Sequence, residues 1–249
     1  MGNKLYSEEA VQAIAAAIRA KDGDAADMTV AQMPARIAPL LAKERREVWL
    51  RCPTQRALPI DTGIAGDFEH TLEVVGYGNL YGTSALFTSV TASTSRQGVD
   101  LLTSTMKVRF VWGNSGLKTF EYPIETISCW LPMKIRFNKS GFTIDGFNRD
   151  YNAAQVTGDY GGSATGGGST ANYKIFGSIT TSGSAPGVFR SAKIFDASDT
   201  LLHHLVPVLY NDWTLALLDK VTGTEQALAT GANGYEAFWA PHADSLVNI

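Results

Sequence analysis

A mainly β fold, an antiparallel jelly-roll sandwich with a small N-terminal α-helical appendage, is what this sequence predicts. Three observations lead there. Short runs alternate apolar and polar residues with period 2, the mark of strands that bury one face. Turn clusters such as Gly113-Asn114-Ser115-Gly116 and Asp196 to Thr200 separate them. Glycine is abundant and charge sparse, 24 glycines against 18% Asp, Glu, Lys and Arg in 249 residues, which suits an all-β body. A domain of about 200 residues buries roughly 70% of its unfolded surface, so it needs no staples.

The appendage comes first. Ser7 is a natural N-cap for a helix over residues 7–20, and Glu8 and Glu9 complement the positive end of its dipole. Val11, Ile14, Ala15 and Ile18 recur at i, i+3, i+4 and i+7 and form one apolar stripe. Lys21 to Asp24 stops it. Thr29-Val30-Ala31-Gln32 has capping-box spacing, and Pro34 can open a second short helix over 34–45. Val11, Ile14, Ile18, Met33 and Ile37 are the apolar residues expected to attach or oligomerise this segment. The division is placed at 1–46 and 47–249, because some 45 residues bury too little to stand alone.

The sandwich follows from Trp49 onward. Phe68, His70, Leu72 and Val74 alternate against Asp67, Glu69, Thr71 and Glu73. Leu80 to Val90 makes another strand. Met106, Val108, Phe110 and Trp112 face one way, which places Trp112 in the core. Leu117 to Ile124 continues, then Met133, Ile135 and Phe137, with Asn138 to Gly141 as a hairpin turn into Phe142-Thr143-Ile144. Thr157 to Thr170 is glycine-rich and is expected to be a mobile surface loop. Strands resume at Tyr173 to Ile179. Val188 to Gly223 then forms three strands, of which Leu201 to Val208 is expected to lack a neighbour on one side because of Pro207. Tyr235, Phe238 and Trp239 in the tail are expected to seal the edge.

This last stretch carries a resemblance. Lys193-Ile194-Phe195-Asp196, Leu205-Val206-Pro207-Val208 and Leu218-Asp219-Lys220-Val221-Thr222-Gly223, with Ile60-Asp61-Thr62-Gly63-Ile64 and Ile175-Phe176-Gly177, resemble the concanavalin-like jelly-roll modules of bacteriophage and prophage tail proteins. The likeness covers roughly residues 56–231. It departs at His203-His204, where that family usually has a charged pair, and at Glu225-Gln226, where aromatics are common. The N-terminal segment is similar to a small helical module that recurs in phage tail and fibre proteins. The resemblance implies a fold and a virion setting, with manufacture in the bacterial cytoplasm, and it identifies no ligand.

The residues themselves offer little catalytic chemistry. Asp67 and Glu69 would stand about 6.6 Å apart on a strand, near the spacing of inverting glycosidases. The third alternate position is Thr71, which breaks the three-acid pattern of sandwich glucanases, and a solvated face explains these acids better. His203 and His204 are adjacent, so they point to opposite faces and cannot share a metal. Asp145, Asn148, Asp150 and Asn152 offer oxygen ligands but lack EF-hand spacing, and an Asx-rich turn accounts for them. No zinc, P-loop or dinucleotide pattern occurs, so neither metal nor cofactor is expected.

The GYGNLYG turn is the best ligand candidate. Tyr77 and Tyr81 present flat faces with hydroxyl tips, the chemistry that stacks on sugar rings. Asn114 beside Trp112, and Tyr160 on the loop, could extend such a surface. The competing account has Tyr81 opening a strand and Tyr77 decorating a turn.

The net charge of −3 gives no broad attraction to nucleic acid or anionic membrane. Val11 to Ile18 is too short to cross a bilayer and has the wrong flanks for a signal peptide. Cys52 and Cys129 are expected as free thiols. The leading expectation is a non-enzymatic virion protein, a tail or fibre component that binds a host cell-surface glycan and other virion proteins. A homo-oligomer, with three-fold symmetry as the guess, goes with it. A purely structural decoration or baseplate spacer is the alternative, and a glycan hydrolase resting on Asp67 and Glu69 comes third.

Overall fold

The computed structural model describes residues 8–22, 29, 32–33, 45–52, 59–78, 83–92, 95–102, 105–113, 118–123, 127–128, 130–162, 168–177, 187–228 and 234–238. Within these, the elements in chain order begin with helix α1 (Glu8–Asp22), then strands β1 (Arg45–Glu47), β2 (Trp49–Cys52), β3 (Ile60–Ala65), β4 (Thr71–Gly78), β5 (Thr83–Ala92) and β6 (Ser95–Leu102). Next come β7 (Lys107–Gly113), β8 (Lys118–Pro123), β9 (Met133–Phe137), β10 (Gly141–Phe147), β11 (Ala153–Asp159) and β12 (Asn172–Ile175). The chain closes with β13 (Gly187–Phe195), β14 (Leu201–Tyr210), β15 (Leu215–Asp219), β16 (Glu225–Ala227) and β17 (Glu236–Phe238). It separates into two compact units: Met1–Arg46 with Leu209–Thr214, and Glu47–Val208 with Leu215–Ile249. Strands β1 and β14 each straddle the boundary.

In the first unit, Ala15, Ile18 and Met33 are buried together, with Val11 packed against them. Ile14 is 46% exposed, although the stripe places it with them. The side-chain oxygen of Gln32 accepts the Thr29 amide at 2.8 Å, which is the capping-box bond the spacing calls for. Ile37 lies outside the described residues, as does most of the expected second helix. That helix does not reach Arg45, which opens β1 instead. The hairpin tip Asn211 to Thr214 also belongs here, and its Trp213 is 73% exposed at φ 66°.

The second unit is an antiparallel β-sandwich of the jelly-roll kind. Its large sheet runs β11-β10-β9-β4-β13-β14-β15-β16, with β2 paired to β13 and β17 to β2. The small sheet runs β3-β12-β5-β6-β7-β8. Alternation decides which face is buried: Leu72 and Val74 of β4, Ile135 of β9 and Ala192 and Ile194 of β13 are all fully buried. Phe110 and Trp112 reach across from β7 to Phe137, at ring separations of 5.5 and 5.6 Å. Trp112 is therefore core, and its indole N–H donates to the Phe68 carbonyl at 3.2 Å. Tyr235 is buried and stacks on Phe176 at 5.8 Å, and β17 pairs with β2, so this part of the tail does cover an edge.

The outer face of the large sheet is a polar row. Register aligns Thr157, Thr143, Arg136, Glu73, Lys193 and His204 across six strands. Glu73 is held between Lys193 at 2.8 Å and Arg136 at 3.6 Å. Cross-strand partners of opposite charge pair on this face.

Three sequence expectations change. The strand expected from Asp67 begins only at Thr71; Asp67 instead takes the Glu69 amide on its carboxylate at 2.9 Å, a turn. The glycine-rich stretch is partly strand, since β11 runs to Asp159, and its Ser169 is buried. The Ser169 hydroxyl bonds those of Ser89 and Thr91 at 2.9 and 2.8 Å, which lets a polar residue pack. Pro207 sits in a strand with neighbours on both sides. It lies past Leu205, the last β14 residue in register with β13, and its carbonyl accepts the Val48 amide at 3.0 Å.

Candidate functional site

A cleft of about 310 Å³ opens between the edge of the small sheet and strands β14 to β16 of the large one. One wall is a β-bulge. Ala65 pairs with Asn172 and Asp61 with Lys174, so Thr62, Gly63 and Ile64 together oppose the single residue Tyr173. Gly63 makes this possible by taking φ 71°, where a side chain would be strained. Local bonds fix the bulge. The Asp61 carboxylate accepts the Gly63 amide at 2.9 Å, and the Thr62 hydroxyl donates to the Tyr173 carbonyl at 2.8 Å.

The facing wall comes from β14 and β15. Register places His203 beside Ile194 and Leu205 beside Ala192, on the buried face of the sheet. His204 pairs with Lys193 on the other face, so the two histidines do point apart. His203 Nδ1 lies 2.7 Å from Asp219 Oδ2. The other Asp219 oxygen accepts the His204 and Val221 amides at 3.0 and 3.1 Å, and the Thr222 hydroxyl donates to Oδ2 at 2.9 Å. Burial pushes the Asp219 carboxyl up, but these bonds outweigh it and hold its pKa down to about 2. Asp219 is therefore ionised, and its charge is answered by four donors.

Ile64, Leu205 and Leu217 make the apolar lining, and Thr224 and Gln226 stand at the mouth. Beyond it, His70 Nδ1 lies 3.0 Å from the Tyr173 hydroxyl, which also accepts from Gln97 at 2.6 Å. Burial lowers the His70 pKa, against the pull of Asp67. A mixed aliphatic and hydroxyl lining with few orienting polar groups is the usual character of a small-molecule site.

The sequence-predicted ligand residues do not meet there. Tyr77 is part of β4 rather than a turn, half-buried with its ring 5.6 Å from Trp49. Burial pushes its hydroxyl up to about 12, against the pull of Arg51. Tyr160 is buried, not displayed on a loop. It packs against Phe110, Phe120 and Phe142, and its hydroxyl donates to the Gly141 carbonyl at 3.1 Å. Tyr160 sits at the Thr71 end of the large sheet and Tyr77 at the other, so they cannot form one surface. Tyr81 and Asn114 lie outside the described residues.

The other candidates are engaged locally. Lys139 pairs with Glu69 at 2.6 Å, and Asp67 is tied into its turn. Asn148 accepts the Asp150 and Asn152 amides, both at 2.9 Å, as an Asx turn does. Among the described residues, no group of three His, Cys, Asp or Glu side chains could hold a metal ion. No helix among them is long and apolar enough to cross a membrane. Cys52 is buried, and Cys129 lies outside the described residues.

Two sequence signals pointed to the cleft without revealing it. Asp61-Thr62-Gly63 has the composition of a bulge, and Asp219 precedes a Thr222-Gly223 turn. Compared with known families and with curated proteins, the sequence matches no family model and no curated relative.

Proposed function

We propose that this chain is a non-enzymatic bacteriophage virion protein, a tail or fibre component whose sandwich binds a bacterial surface glycan. The resemblance of residues 56–231 to phage jelly-roll modules suggests the setting. The observation that carries the binding role is the cleft walled by the β3 bulge and β14 to β16, with an apolar lining, hydroxyl and amide groups, and no lysine or arginine among its described residues. The first unit would attach the protein to other virion proteins or to copies of itself. Ile14, exposed beside the buried Ala15 and Ile18, and Trp213 at the hairpin tip are exposed apolar residues that it offers.

The test is binding of the full chain, fluorescently labelled, to a panel of bacterial strains before and after periodate oxidation of their surface sugars. Saturable binding that periodate removes is the expected result. Binding to no strain would overturn the receptor-binding role and leave the purely structural one, a decoration or baseplate spacer. Light scattering on the full chain is expected to give a homo-oligomer, with three copies as the particular expectation.

A further inference from the structure

The geometry points to a narrower ligand class, resting on the glycan-binding reading: the cleft takes an uncharged pyranose, with His203 Nε2 accepting one of its hydroxyl protons. The argument starts from the tautomer. An ionised carboxylate only accepts, so the proton between His203 and Asp219 sits on Nδ1, 2.7 Å from Oδ2. With Nδ1 protonated in this way, Nε2 is the ring nitrogen left to accept whenever the imidazole is uncharged. No described residue donates to that nitrogen, and the His203 side chain is 27% exposed where it lines the cleft. The site thus presents an acceptor that wants an O–H or N–H.

The remaining groups narrow the choice. Gln226 is in register with Leu217, so its carboxamide projects from the cleft-facing side of β16, where it can both donate and accept. Ile64, Leu205 and Leu217 supply an aliphatic surface for the C–H face of a ring. Among the described residues, the lining contains one carboxylate and neither lysine nor arginine. An acidic sugar would meet Asp219 with nothing to offset its own charge. A cation would gain little, because that carboxylate already accepts from His203, Thr222 and two backbone amides. A neutral ring bearing neighbouring hydroxyls satisfies the acceptor, the amide and the aliphatic patch together. The volume, about 310 Å³, suits one or two rings.

The experiment uses the full chain, labelled with ¹⁵N, and follows the His203 ring nitrogens and the backbone amides of Thr222, Thr224 and Gln226. Glucose, galactose, rhamnose and N-acetylglucosamine are titrated beside glucuronate and sialic acid. At least one neutral sugar is expected to move these resonances saturably, at about millimolar Kd, while the acidic sugars do not. His203→Phe keeps an aromatic ring without Nε2 and is expected to weaken binding by about tenfold. Should that variant melt early, Gln226→Ala serves, with a smaller loss. Failure of every neutral sugar to shift these signals would overturn the assignment, as would stronger binding of an acidic sugar. If His203→Phe leaves cell binding unchanged, the glycan reading stands and this site falls. If sugars shift His203 while no strain is bound, the site stands and the receptor-binding reading falls.

Discussion

Phe110 of the small sheet stacks on Phe142 of the large sheet with ring centroids 4.5 Å apart and planes 19° from parallel. Phe137, Phe120 and Tyr160 surround the pair, and Phe110 is 1% exposed. This cluster ties the two layers together. Phe110→Ala removes the ring and leaves a cavity that both sheets are too well paired to close, at a loss of about 3–5 kcal/mol. Urea unfolding should show a midpoint lowered accordingly, with an unchanged slope. A loss below about 1 kcal/mol would mean the sheets do not depend on this contact.

Asp219 sets the acid limit of stability at the cleft. Its pKa is held down to about 2, below the unfolded value near 3.8, so the folded state releases its proton more readily than the unfolded one. The stability it contributes is complete above about pH 4 and is lost as pH falls toward 2. Asp219→Asn should cost about 2 kcal/mol at pH 7 and flatten that acid slope. Denaturant midpoints at half-unit pH steps would show it.

Asp100 works in the opposite sense. It is fully buried on β6, and desolvation raises its pKa to about 6, even though Arg109 donates to it at 2.5 Å. Between about pH 4 and 6 the folded state holds a proton that the unfolded state has lost, so stability falls as pH rises through that window. Asp100→Asn should abolish the dependence. A difference profile, wild type minus Asp100→Asn, that rises from pH 4 to 6 would contradict the account.

Two hairpin tips carry aromatics in the left-handed region. Tyr151 has φ 61° and Trp213 φ 66°; both amides donate back to the residue three before, at 3.1 and 2.9 Å, and both side chains are over 70% exposed. That conformation costs a non-glycine residue about 1–2 kcal/mol, whereas glycine gives back about 0.5–1 through unfolded-state freedom. Tyr151→Gly and Trp213→Gly should each raise stability by about 0.5 kcal/mol. Thermal melts of the single variants test this, and a lowered Tm would show that the rings pack in solution.

The strands that were legible are those with a plain alternation. Val108, Phe110 and Trp112 of β7 and Met133, Ile135 and Phe137 of β9 fall on the buried face as their period requires. Strand β6 carries no such signal because it buries polar residues: Gln97 reaches the Tyr173 hydroxyl and Asp100 pairs with Arg109, so no apolar alternation marks it. Tyr160 is hidden from the sequence for the converse reason. Its glycine-rich surroundings look like loop, yet the edge strand β11 delivers its ring into the phenylalanine cluster.

Local pattern is enough for the layered β architecture, the capping bond of Thr29 and the opposed directions of His203 and His204. Each of these follows from spacing along one segment, where backbone period sets which way a side chain points. The meeting of His203 with Asp219, sixteen positions away, and the bulge of Thr62 to Ile64 that faces them belong to the folded whole. Register between strands and the approach of two sheet edges create that cleft. Both arise from packing the whole core, and no local pattern encodes them.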